Sequence, residues 1–215
     1  MKKVALIGAS GYVGSAVLNE LLHRGYKLLA LVRHPEKITI KNEHLEVKRC
    51  DVLDEASLEN AISGIDIVVS AYNAGWTNPN LYDEFMNGAK HIISACKKAN
   101  IQQLFVIGGA GSLYISPGLQ GVDAPGFPAE WKPGALAARD FLKLLKSDHK
   151  LNWTFLSPSI NMFPGPRTGK YRTGLDEPVM NAEGKSEISV QDLSVAVADE
   201  LENKKFTGKR FTVGY

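Results

Sequence analysis

The chain alternates between short apolar runs and longer stretches in which apolar residues recur every three or four positions. Val4–Ile7, Leu28–Val32, Leu45–Arg49, Ile65–Ser70, Leu104–Ile107 and Trp153–Leu156 are rich in Val, Ile, Leu and Phe and bounded by glycine or polar residues, the pattern of strands in a parallel sheet. Between them, Ala16–Leu22, Glu55–Ile62, Pro79–Lys98 and Gly134–Ser147 carry a helical period. The expected fold class is α/β: a Rossmann-like, doubly wound parallel sheet with helices on both faces, in a single domain spanning residues 1–215. Right-handed crossovers then bring the C-terminal ends of these strands to one edge.

That rule selects the loops to inspect: Gly8–Gly14, Arg33, Asp51, Ala71–Asn78, Gly108–Ser116 and Ser157–Ser159 should rim one cleft. Two Gly/Pro-rich segments, 111–133 and 158–184, are too long for simple connections and are expected to wall a substrate site. Near the end of the chain, Ser189 reads as a helix N-cap with Asp192 completing a capping box, the helix runs to Leu201, and Arg210–Tyr215 reads as a final strand.

The first of these loops carries the strongest chemistry. Gly8-Ala9-Ser10-Gly11-Tyr12-Val13-Gly14 joins a strand to a helix. Gly8 suits the tight turn, Gly11 lets the backbone approach a pyrophosphate, and Gly14 lets helix and strand pack closely, while the free N–H groups of the helix face the anion. A dinucleotide is the expected ligand, although the spacing is G-x-x-G-x-x-G and a purely structural glycine turn is the alternative. Cofactor choice falls to the end of the second strand, where Arg33 stands in place of an acid. Its planar fork, with the Ser10 hydroxyl, suits a 2′-phosphate and favours NADP(H) over NAD(H); otherwise Arg33 is an ordinary solvated strand-end arginine.

Composition narrows the partners. The 215 residues carry a formal net charge of +2, too weak a field to indicate nucleic acid, and no stretch approaches membrane-spanning length. Met1-Lys2-Lys3 followed by apolar residues has the beginnings of a signal peptide, but glycines break the run at once. Cys50 and Cys96 form no disulfide or zinc framework, so a reducing cytoplasm is expected, with a small-molecule substrate and a monomer or dimer as the assembly. His23, His34, His44, His91 and His149 show no metal-ligand spacing, and no G-x-S-x-G elbow is present.

Gly8–Gly14, Asp51-Val52, Val106-Ile107-Gly108-Gly109-Ala110-Gly111-Ser112, Arg167-Thr168-Gly169-Lys170-Tyr171-Arg172 and Arg210-Phe211-Thr212-Val213-Gly214-Tyr215 together give a chain that resembles the atypical short-chain dehydrogenase/reductases. The nearest group is the NAD(P)H-binding, NmrA-like and NADH-flavin reductase proteins, similar to biliverdin reductase B / flavin reductase. The resemblance extends over essentially the whole chain. It implies a cofactor site of Gly8, Ala9, Ser10, Gly11, Tyr12, Val13, Gly14, Arg33, Asp51, Val52, Ala71, Tyr72, Gly108, Gly109, Pro158 and Ser159. It also places Ser112 beside the nicotinamide, where it would orient the acceptor; a turn hydroxyl capping local backbone is the alternative. Ser159 stands where the biliverdin reductase B pattern has a histidine, a departure that weakens the case for tetrapyrrole reduction.

Most short-chain dehydrogenases move a proton through a Tyr-x-x-x-Lys pair. Tyr12, Tyr26, Tyr72, Tyr82, Tyr114 and Tyr171 each lack a lysine four residues on, which counts against alcohol dehydrogenation and epimerisation by that route. A flavin needs no such acid, because its N5 accepts hydride directly when the rings stack. The expected activity is therefore hydride transfer from NADPH to a small planar acceptor, with flavin as substrate. Arg167, Lys170 and Arg172 are candidates for an acidic group on that substrate, and Tyr114, Trp76 and Trp131 for stacking, against the alternatives of solvated cations and of core or lid packing. Two other readings stay open: a redox sensor resembling NmrA that binds the dinucleotide without turnover, and a reductase or epimerase of a nucleotide sugar or other metabolite.

Overall fold

The computed structural model describes residues 2–215; Met1, at the head of the signal-like stretch, lies outside the described residues. Strands β1 (Lys3–Ile7), β2 (Lys27–Val32), β3 (Leu45–Arg49), β4 (Ile67–Ser70) and β5 (Gln103–Ile107) alternate with helices α1 (Tyr12–His23), α2 (Glu55–Ile62) and α3 (Leu81–Lys98). A short hairpin follows, β6 (Tyr114–Ser116) with β7 (Leu119–Gln120), and then helix α4 (Lys132–Ser147). The chain closes with β8 (Trp153–Ser157), β9 (Asn161–Phe163), β10 (Arg172–Gly174), β11 (Glu187–Ser189), helix α5 (Val190–Asn203) and β12 (Lys209–Gly214).

Eight strands form the central sheet in the order β10-β12-β8-β5-β4-β1-β2-β3, parallel throughout except for β10, which pairs antiparallel with β12. Side chains alternate between two cores. Val4 and Leu6 of β1 join Phe105, Leu156, Phe211 and Val213 beneath α1 and α5, whereas Ala5 and Ile7 join Leu104, Val106 and Phe155 beneath α2, α3 and α4. Central strands must satisfy both faces, which is why their sequences read as unbroken apolar runs. Each fully buried Leu, Ile or Phe contributes about 1.5–3 kcal/mol.

The structure departs from the sequence-based expectations at element ends and in the two long segments. Helix α1 starts at Tyr12, not Ala16, so Gly14 sits inside its first turn. β4 starts at Ile67 because the Ile65 N–H turns back to Ile62 and the Asp66 N–H bonds to Lys3. Segment 111–133 contains the β6–β7 hairpin, and segment 158–184 supplies β9 and the antiparallel edge strand β10. At α5, Ser189 is the N-cap, its hydroxyl accepting from the Asp192 N–H at 3.0 Å. The reciprocal half of the expected capping box is absent: the Ser189 N–H goes to the Tyr215 hydroxyl, and Asp192 turns to the 168–169 turn instead.

Candidate functional site

The glycine turn is built so that only one glycine faces outward. Gly8 adopts φ +79°, and a Cβ there would lie 2.6 Å from the Ala71 carbonyl oxygen. One at Gly14 would lie 2.0 Å from the Gly8 carbonyl oxygen, so both glycines are required by the fold itself. At Gly11 the nearest protein atom is the Gly8 oxygen at 3.3 Å, which leaves a concavity on the solvent side. Gly11 is also the N-cap of α1 and provides no side-chain cap, so the exposed Ser10-Gly11-Tyr12 segment leads into first-turn N–H groups without intrahelical acceptors. A diphosphate fits this cradle, and the wall is backbone. Ala9 and Val13 contribute main chain, for Ala9 is fully buried and Val13 packs partly against the core.

Toward β2 and β3, Arg33 is exposed at the end of β2, and among the described residues neither its guanidinium nor the Ser10 hydroxyl has a hydrogen-bond or ion-pair partner. Most of the other arginines are engaged: Arg24 with Glu20, Asp199 and Glu202, Arg139 with Asp123, Arg167 with Glu20, and Arg210 with Asp176. Asp51 caps its own turn, accepting from the Leu53 N–H at 3.0 Å, while Val52 is buried with its carbonyl 3.0 Å from His91 Nδ1. Sequence reading missed Arg49. It ends β3 in register with Val32, immediately before Arg33, and has no carboxylate partner among the described residues. The signal was available in the matched lengths of Leu28–Val32 and Leu45–Arg49, which set that register.

Toward β4, β5 and β8, Ala71 closes over Gly8, and Tyr72 packs its ring on Phe85 and donates its hydroxyl to the Glu84 carbonyl at 3.1 Å. Burial pushes the Tyr72 phenol up to about 12, with Arg33 and Asp51 acting on it in opposite directions. A phenol so placed, with no lysine beside it, stays protonated and tied to backbone. Gly108 is a packing glycine, since a Cβ there would meet the Phe155 ring at 1.9 Å, and Gly109 faces Ala138. Pro158 and Ser159 are buried, and the Ser159 hydroxyl is spent on the Val213 carbonyl at 2.6 Å.

Several expected substrate contacts are corrected by the geometry. Ser112 is 1% exposed; its hydroxyl lies 3.2 Å from the Gly109 carbonyl and 3.2 Å from the Ser157 hydroxyl, and Arg210 donates to its carbonyl at 3.1 Å. These contacts are the ones the turn-capping alternative calls for. Tyr114 belongs to the β6–β7 hairpin, whose N–H bonds to the Asp176 carbonyl and docks it beside β10, at the flank of the sheet. Trp76 and Trp131, by contrast, are 59% and 55% exposed, so core packing is not their role.

The Arg-Thr-Gly-Lys-Tyr-Arg segment is held by the chain's own acids and carbonyls. Arg167 grips Glu20 of α1 with two bonds of 2.6 and 2.9 Å, and the Thr168 and Gly169 N–H groups both donate to Asp192 at 2.7 Å. Tyr171 donates to Asp199, and Arg172 donates to the carbonyls of Met180 and Tyr215. Lys170 is exposed and uses its N–H on the Thr168 hydroxyl. Burial alone would raise the Asp192 carboxyl, but the Thr168 and Tyr215 hydroxyls and the two N–H groups outweigh it and hold the group below its ordinary value. The segment is a strap over α1 and α5.

With this geometry in view, the comparisons with known proteins decide the family. The profile of the NAD(P)H-binding family matches residues 8–204. This chain belongs to that family. It is 37% identical over 214 residues to the uncharacterized protein YwnB of Bacillus subtilis, across 98% of this chain and 97% of YwnB. Its fold matches a crystal structure from Bacteroides thetaiotaomicron described as a "putative epimerase" with TM-score 0.93 and 46% identity, covering 100% of this chain and 97% of the other. A structure from Streptococcus pneumoniae described as a "putative NADH-flavin reductase" matches with TM-score 0.87 and 30% identity, covering 100% and 99%. Members of this family are oxidoreductase-type proteins that bind a nicotinamide dinucleotide. No helix among the described residues is long and apolar enough to cross a membrane.

Proposed function

We propose that the protein is an NADPH-dependent reductase of a small planar acceptor, with a flavin as the substrate that fits best. The observation that carries this reading is a pairing of features: a cradle for the dinucleotide with an unpartnered arginine at the 2′-position, and no acid–base pair where the family's carbonyl chemistry would need one. The adenosine half would lie over β2 and β3, with Arg33 and Ser10 on the 2′-phosphate and Arg49 as a nearby second cation. The nicotinamide half would then lie over β4 and β5. When bound, NADPH supplies hydride from nicotinamide C4 to flavin N5 and solvent supplies the proton to N1, so NADPH, flavin and a proton yield NADP+ and dihydroflavin. The chain's own task is to hold two rings face to face and exclude water between them.

The test is steady-state NADPH oxidation with FMN and riboflavin. Turnover with both, and with NADH only at much higher concentration, is expected. A redox sensor that binds the dinucleotide without turnover is favoured by the same lack of an acid–base pair. Calorimetric binding of NADPH with no oxidation by any flavin or quinone would select it.

A further inference from the structure

We infer that Trp76, seated on Gly134, is the stacking platform for the planar acceptor; this deepens the reductase reading and rests on it. Trp76 stands in the loop after β4, and Gly134 in the first turn of α4, which begins at the same edge of the sheet as the strand ends. A Cβ at Gly134 would lie 2.7 Å from one atom of the Trp76 ring and 3.1 Å from the next, so the absent side chain is what lets the indole lie across the helix. The ring is backed on one side by that helix, yet it remains 59% exposed. Trp131, the N-cap of α4, is 55% exposed, and Ile160, just beyond β8, is 59% exposed. The third tryptophan, Trp153, is only 5% exposed, as core aromatics are.

Loops after β4, β5 and β8 are neighbours because those strands are neighbours in the sheet. Trp76 and Ile160 therefore flank the Gly108–Gly109 turn, on the side of the cradle opposite Arg33. A large exposed indole fixed at its back and open at its front presents an electron-rich face at low entropic cost, which suits an electron-poor fused ring such as a flavin or a naphthoquinone. A sugar or an aliphatic carbonyl compound would gain little from it.

Riboflavin emission, quenched when the ring stacks on indole, is to be titrated with the NADP+-loaded protein, and the KM for riboflavin measured in parallel. Trp76→Ala should raise both the riboflavin Kd and KM about tenfold or more, the loss associated with removing one aromatic stacking partner. NADPH affinity and Tm should stay unchanged, and Trp76→Phe should recover most of the loss. Gly134→Ala, which displaces the indole while favouring the helix, should show a smaller loss in the same direction. Riboflavin binding and turnover indifferent to Trp76→Ala would overturn the platform and leave the reductase reading standing. If riboflavin neither binds nor reacts but menadione binds in a Trp76-dependent way, the platform holds and the flavin assignment falls. If neither ring system binds the wild-type protein, the platform is refuted.

Discussion

The glycine turn at residues 8–14 and the strap at 167–172 are both short segments with hydrogen-bond donors to spare, and they meet opposite fates. In the turn, the Gly8 and Gly11 N–H groups go to the Leu31 and Gly8 carbonyls, but the first-turn N–H groups of α1 that follow have no acceptor, and no acid among the described residues reaches them. In the strap, Glu20, Asp192 and Asp199 take them up. A donor-rich segment is a binding site only if the rest of the chain leaves it unsatisfied, and that depends on carboxylates far away in sequence. Glu20 and Arg167 are separated by 147 positions, which no local motif can report.

The sharpest way to break this contrast is within the turn itself. Gly11→Val should abolish measurable NADPH binding in calorimetry while the protein keeps its circular dichroism and most of its Tm, because the added branches fill only the ligand's concavity. Gly14→Ala should do the reverse in kind, costing about 1–3 kcal/mol or more of stability, because its Cβ runs into the Gly8 carbonyl. Retained binding in a folded Gly11→Val protein would mean the turn is as self-satisfied as the strap.

Next in size is the 2′-phosphate. Arg33→Ala should weaken NADPH by about 1.5–3 kcal/mol, the range of a charge-assisted hydrogen bond, and leave NADH nearly untouched. Equal weakening of both cofactors would remove the NADP preference from Arg33.

For the strap, Asp192→Asn should cost about 1–3 kcal/mol of stability, the range for hydrogen bonds to a charged group. NADPH affinity should hardly change. The sign with pH follows from the folded state: the Asp192 and Glu20 carboxyls both lie below their ordinary values, so their contribution is present above the unfolded carboxylate range, near about 4. It is lost as pH falls through the lowered folded values. Denaturant titrations down the acid range should show that loss shrink in Asp192→Asn; an unchanged acid limb would mean the carboxylate clamp contributes nothing.

The smallest effect is expected at Ser112. With its hydroxyl buried between Gly109 and Ser157, Ser112→Ala should cost about 0.5–1.5 kcal/mol of stability and change kcat/KM less than about threefold. A thousandfold loss would restore it to the reacting centre and point to a carbonyl substrate.

The parallel sheet was legible because central strands must be apolar on both faces, and five of them, β1, β2, β4, β5 and β8, announce themselves that way. The cradle was legible because Gly8, Gly11 and Gly14 are spaced by the turn they make. What escaped was non-local. β9, β10 and β11 are three residues each, too short for a period, and exist only through partners distant in sequence. Ser112 looked reactive by position, but its burial depends on Arg210 arriving from β12. For Trp76 the sequence left stacking and core or lid packing both open, and its seat against α4 depends on a glycine of another element.

The antiparallel pairing of β10 with β12 also sets a timetable for the nascent chain. β10 can join the sheet only through β12, which lies more than thirty residues later and must itself slot in beside β8. While the chain is being synthesised, residues 172–174 therefore wait without a strand to pair with, whereas β1 and β2 can already associate and β4 join them soon after. The half of the molecule that carries the glycine turn is ready first, and the half that carries the strap is sewn on last.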